Sequence, residues 1–195
     1  LAGCETAGGS AGGGAALGAL AGGIIGNQSG RALEGAAIGA IVGGLAGLIV
    51  HDVRSRQTRS AQQTYQEYNY EPQQGFQMNI ERSNVTPATV APGDEVSTSL
   101  QYATLGTGGG VAVEEESALY RDGRKLAVVW DDKSTRTDGT WEKYVELEMP
   151  NNAQQGSYEI THTLRAENRE LQRSSSFLVD SAAADAGTTR YAANR

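Results

Sequence analysis

The chain has 195 residues, of which 26 are glycine, with one cysteine, two histidines and a formal net charge of −7. A single cysteine excludes an internal disulfide framework and a cysteine-based zinc cluster. The acidic balance argues against nucleic acid, whose phosphates require clustered Lys and Arg. Residues 1–50 hold 16 of the glycines and only three charges, Glu5, Arg31 and Glu34, whereas residues 76–180 hold 10 Lys/Arg against 17 Asp/Glu. No whole-chain average describes either material.

The chain opens Leu1-Ala2-Gly3-Cys4. This tetrapeptide resembles the bacterial lipobox, the end of a lipoprotein signal peptide. The resemblance implies that Cys4 carries the lipid, that Leu1–Gly3 is the tail of a removed signal, and that residues 1–10 form the anchor segment. Several acyl chains, at about 0.8 kcal/mol per buried CH₂, would make a stable anchor. The plain alternative is an ordinary thiol.

Over residues 11–50 the glycines fall into a four-residue period. Gly14, Gly18, Gly22 and Gly26 form one run, and Gly35, Gly39, Gly43 and Gly47 form a second. Four residues is just over one helical turn, so each run would line one helix face and let a second backbone approach closely. Leu17, Leu20, Ile24 and Ile25, then Ile38, Ile41, Val42, Leu45, Leu48, Ile49 and Val50, stand between them. A flexible Gly/Ala linker is the competing reading. In water each helical glycine costs about 1 kcal/mol relative to alanine, but in lipid the unpaired backbone costs more and enforces helix. The pattern resembles the glycine-zipper family of bacterial envelope lipoproteins. That resemblance implies a transmembrane helical hairpin that pairs and associates into a homo-oligomer in membrane lipid. Arg54, Arg56 and Arg59 would then emerge at the membrane interface beside anionic headgroups, or simply sit as cations at a helix C-terminus.

Residues 51–75 read as a polar Gln/Tyr-rich stalk. The second helix could run on to about residue 68, placing Tyr65 and Tyr68 on one face, and Pro72–Gly75 marks the boundary. From Phe76 the period becomes two: Val96, Thr98, Leu100 and Tyr102 alternate with polar residues, as do Trp141, Lys143, Val145, Leu147 and Met149, and Tyr158, Ile160, His162 and Leu164. Half-buried antiparallel strands read this way. Turn signals such as Asp122-Gly123 and Asp138-Gly139 separate them. Seven strands are expected, at about 77–82, 95–105, 111–120, 125–133, 141–149, 157–167 and 171–179. Residues 76–180 are thus predicted to be a seven-stranded immunoglobulin- or fibronectin-III-like sandwich, with Tyr158 in the tyrosine-corner position. The expected fold class is α + all-β, and residues 181–195 read as a disordered tail.

No reaction is legible. Walker, nucleophile-elbow and HExxH patterns are absent, so no catalytic residue, metal ligand or cofactor other than a lipid on Cys4 is assigned. His51-Asp52 has no nucleophile beside it. His162 falls on the apolar-facing set of its strand and reads as a satisfied core or rim histidine. Glu114-Glu115-Glu116 and Asp131-Asp132 could offer oxygens to Ca²⁺, but alternation turns Glu115 away from its neighbours. Trp130 and Tyr144 are candidates to meet a sugar or protein, with core packing as the commoner fate. The expected protein is a structural lipoprotein of the bacterial envelope. It would lie in the outer membrane with its sandwich in the periplasm and an envelope protein as partner. A pore or ring subunit and a glycan- or protein-binding module are the alternatives.

Overall fold

Wherever apolar residues recur every second position, the chain forms a strand with those side chains turned to one face. The computed structural model describes residues 45–183. Its strands are β1 (Ile49–Arg59), β2 (Gln77–Thr86), β3 (Thr89–Val90), β4 (Glu95–Leu105), β5 (Val111–Arg121), β6 (Arg124–Arg136), β7 (Gly139–Glu148), β8 (Gly156–Ala166) and β9 (Arg169–Val179). They build two facing sheets, ordered β1-β7-β4-β2 and β3-β9-β8-β5-β6. All pairs are antiparallel except the short β3–β9 pair. The architecture is a β-sandwich.

The turns follow from local chemistry. Asp122 and Gly123 both take positive φ, +51° and +73°, the mirror-image turn that matches strand twist in a two-residue hairpin. At Gly139 the need is space: an added Cβ would lie 2.8 Å from the Arg59 carbonyl oxygen and closer still to the Gln57 side chain. Only glycine lets β1 pass so near the start of β7.

The interior has two apolar clusters. One gathers Val96, Val129, Val145, Leu147, Ile160, Phe177 and their neighbours; the other gathers Met78, Leu100, Tyr102, Val113, Leu164 and Ala166. Tyr158 packs in the first, its ring stacked on Phe177 at 5.6 Å. Its hydroxyl donates to the Gln154 carbonyl at 2.8 Å, the backward bond of a tyrosine corner.

The expected helical hairpin is overturned. The fold is mostly β; the one α-helix among the described residues, α1 (Ala61–Tyr68), has eight residues, and no described helix is long and apolar enough to cross a membrane. Cys4, Gly14, Gly18, Gly22, Gly26, Gly35, Gly39 and Gly43 lie outside the described residues. Gly47 is described, and it sits in a turn with φ +94°, far from helical geometry. Two residues later the chain is strand β1, not the end of a helix. The reason is legible afterwards: a register shift between Val50 and Asp52 makes the inward residues Leu48, Val50 and Val53 fall at irregular spacing. A bulge thereby disguised a period of two.

The stalk is corrected as well. Residues 51–59 are the edge strand paired with β7, and α1 caps one end of the sandwich. Ser60 starts the helix with a capping box closed by Gln63, which satisfies backbone donors at the N-terminus. Tyr65 donates to Asp138, and Tyr68 donates to Glu81 at 3.0 Å. These tyrosines fasten the helix to the strands and do not decorate a linker. The sandwich therefore starts near residue 48, and seven expected strands become nine. The expected tail beyond residue 183 lies outside the described residues.

Candidate functional site

Between the two apolar clusters, the central strands β4, β5, β7 and β8 carry polar side chains inward at the same level. On β4 this is Thr98, on β5 Ser117 and Glu115, on β7 Lys143 and on β8 His162, each at most 3% exposed. Cross-strand register explains the coincidence, since Ser117 pairs with His162 and Glu115 with Asp132. Paired residues point to the same face. The result is a buried polar belt across the sandwich.

One half of the belt is neutral. Thr98 uses its single hydroxyl proton on the Asn84 carbonyl at 2.9 Å, so it accepts from His162 Nε2–H at 3.0 Å. His162 Nδ1 then accepts from the Ser117 hydroxyl at 2.7 Å. This assigns the Nε2–H tautomer from the donor inventory. Burial holds the His162 pKa down at about 4, because the imidazolium would lose its hydration. The expectation of a satisfied core histidine holds.

The other half is ionic. Glu115 Oε1 accepts from the Tyr102 hydroxyl at 2.6 Å and from Arg136 Nη2 at 2.5 Å. Arg136 also donates to the Tyr102 oxygen at 2.8 Å and to Ser55 Oγ at 2.9 Å. Its guanidinium lies 4.7 Å from the centre of the Trp141 ring, which adds a cation–π attraction. Burial, the largest single influence, would lower the Arg136 pKa, but the Glu115 charge together with Tyr102 and the hydrogen bonds to both outweighs it, and the net shift is upward. Lys143 Nζ stands 3.5 Å from Glu115 Oε2, 4.0 Å from Asp132 Oδ2 and 4.3 Å from the centre of the Trp130 ring. Neither Lys143 Nζ nor Glu115 Oε2 has a hydrogen-bond partner. Burial pushes the Lys143 ammonium down despite the opposing pull of Glu115.

Alternation had placed Lys143 and His162 inward and had separated Glu115 from its neighbours. Glu114 and Glu116 indeed face outward and bind Lys133 and Lys125 at 2.8 and 2.7 Å. No group of three or more potential metal ligands occurs among the described residues. Trp130 is buried. Sequence reasoning missed Arg136, because β6 runs three residues past its expected end, and missed Ser55, because β1 was read as helix.

The three arginines expected at a membrane interface lie on strand β1, not at a helix end. Arg54 pairs with Asp52 and lies 5.9 Å from the centre of the Tyr144 ring. Arg56 donates Nε and Nη2 to Glu142 at 2.8 and 2.6 Å, and Arg59 pairs with Glu81. His51 meets Glu148 at 3.0 Å. On the outer face of that sheet Arg54, Arg56, Ser99, Glu142 and Tyr144 line a depression of 290 Å³. A second depression, of 370 Å³, lies where Ser60 and Ala61 meet Thr107 and Asp138.

No protein-family model matches the chain, and no curated protein matches it. Similar solved structures include a β-glucosidase from Erythrobacter marinus, with 11% identity, TM-score 0.36 and 54% of this chain covered. The sporulation control protein Spo0M of Bacillus subtilis gives 9% identity and TM-score 0.37 over 54% of this chain. The CARDB domain of a Pyrococcus furiosus protein gives 17% and 0.39, covering 54% of this chain and 88% of that domain. The chain spans 16% of the glucosidase's length and 49% of Spo0M's.

Proposed function

We propose that this protein is a structural lipoprotein of the bacterial envelope, holding an immunoglobulin-like domain at a membrane through a lipid on Cys4. The observation that carries this reading is the placement of the chain's single cysteine in Leu1-Ala2-Gly3-Cys4, before a glycine-periodic apolar segment and an all-β domain. The strand order supports the immunoglobulin-like assignment. In that scheme β2, β4 and β7 stand where strands A, B and E do, and β5, β8 and β9 stand where C, F and G do. Strand β1 fills the place of D, and the Tyr158 corner fits the same scheme. The domain acts as an interaction module for an envelope protein, on the outer-membrane face toward the periplasm. Copies associate through the glycine-rich segment.

Native mass spectrometry of protein extracted in detergent from its own membrane tests this. An acylated Cys4 and a fixed copy number above one are expected. An unmodified monomer would overturn the reading.

A second reading, glycan or protein capture, has one specific support: the half-exposed Tyr144 ring between Arg54, Arg56 and Glu142 on a polar sheet face. Tyr144→Ala should then abolish retention on envelope glycan without lowering stability by more than about 1 kcal/mol. Unchanged retention would remove it.

A further inference from the structure

The ionic half of the belt combines three features that a plain ion pair does not require. Lys143 rises from one sheet, while Glu115 and Asp132, register partners on β5 and β6, rise from the other. The amine therefore meets two adjacent carboxyl groups across the interior. Lys143 Nζ and Glu115 Oε2 are both without hydrogen-bond partners, although their side chains are only 2% and 3% exposed. Burying unsatisfied charge is costly, and Coulomb attraction repays it only with good geometry and saturated hydrogen bonding. Finally, Trp130 packs against Nζ, so the amine lies beside an aromatic wall.

We propose that Lys143 and Asp132 form an intramolecular amide bond that staples the two sheets, with Glu115 as the proton relay. The Lys143 ammonium passes one proton to the Asp132 carboxylate, and the amine so formed attacks Cγ of the resulting acid. The N–C bond forms, Glu115 Oε2 takes a proton from the nitrogen, and the same proton goes to the departing hydroxyl as the C–O bond breaks. One water leaves, nothing is oxidised or reduced, and no co-reactant is needed. An ammonium and a carboxylate become a neutral amide, which removes the desolvation cost of the pair. Glu115 has one oxygen committed to Arg136 and Tyr102, which fixes the carboxylate and leaves Oε2 on the Lys143 side. Burial favours the uncharged amine that the attack requires. With one cysteine in the chain, this bond supplies the inter-sheet cross-link that a disulfide cannot.

The test is proteolysis of the purified full chain after denaturation, followed by peptide mass spectrometry. The expected product is a branched peptide joining the Asp132 and Lys143 fragments, lighter than their sum by one water, with trypsin unable to cut after Lys143. Linear peptides and cleavage at Lys143, from a chain shown to be folded by circular dichroism, would overturn the proposal. Asp132→Ala changes a half-exposed side chain and should restore linear peptides; a branched product in that variant would also overturn it. Glu115→Gln should leave Lys143 free, and persistence of the bond would overturn the relay role. If Glu115→Gln fails to fold, the wild-type and Asp132→Ala digests still decide whether the bond exists.

Discussion

The two apolar clusters and the polar belt between them occupy one interior but are stabilised differently. In the clusters, Leu147 or Ile160 contributes through the apolar area it removes from water and the atoms it touches, so a substitution costs in proportion to the volume lost. In the belt the gain depends on completeness. Glu115 Oε1, Arg136 and Tyr102 bond one another, and removing one leaves the others charged or unpaired at low dielectric. The belt also sets position. Its hydroxyl, imidazole and guanidinium contacts demand particular partners across the sheets, whereas the apolar clusters accept any shape that fills them.

Substitutions can break this comparison, beginning with the belt. Glu115→Ala should be the most damaging, because it strips Arg136 of its charge partner. A loss of about 3–5 kcal/mol is expected in urea unfolding. Leu147→Ala in the larger cluster should cost roughly 2–5 kcal/mol, mostly as cavity, read from the same midpoints. If Leu147→Ala proves far costlier than Glu115→Ala, the belt is not the demanding part.

Acid separates the two regions further. His162 has its pKa lowered from 6.5 to about 4 by burial, so between these values the unfolded chain binds the extra proton and the folded chain does not. Stability is therefore fully present above about pH 6.5 and falls as pH drops toward 4. The loss from this group reaches about 3 kcal/mol. Thermal unfolding of wild type and His162→Gln across that range should show the slope shrinking in the variant. Below these in size is Tyr158→Phe, which removes the bond to the Gln154 carbonyl and should cost about 1 kcal/mol by differential scanning calorimetry. Smallest is Arg56→Ala. The Arg56 side chain is 73% exposed beside Glu142, and the midpoint should move by no more than about 0.5 kcal/mol.

Strands β2 and β4 to β9 were legible because alternation is a local property of the sequence, and so were the inward direction of Lys143 and His162 and the separation of Glu115 from its neighbours. Strand β1 was not. Past Val53 the strand buries no further residue; Ser55 and Gln57 are exposed and polar and meet Arg136 and the Asp138 carbonyl, so no apolar alternation marks them. The preceding bulge scrambled the rest. Nothing local could show that this stretch crosses to β7, since that pairing joins residues from 81 (Arg59 with Thr140) to 99 (Ile49 with Glu148) positions apart. The tyrosines of α1 were visible as a cluster, but their acceptors, Asp138 and Glu81, come from distant strands.

By itself, then, the sequence determined which residues of β4, β7 and β8 face inward, where the turns between the later strands fall and that one cysteine precedes a glycine-periodic segment. A period of two, a positive-φ turn and a residue count are all short-range facts. Only the tertiary structure decided that residues 49–59 complete a sheet and that the inward charges sit at one level. Bringing Lys143 to the carboxyls of Glu115 and Asp132 was likewise its doing. Those outcomes depend on register and sheet-to-sheet packing, which couple residues far apart in the chain and leave no local signature.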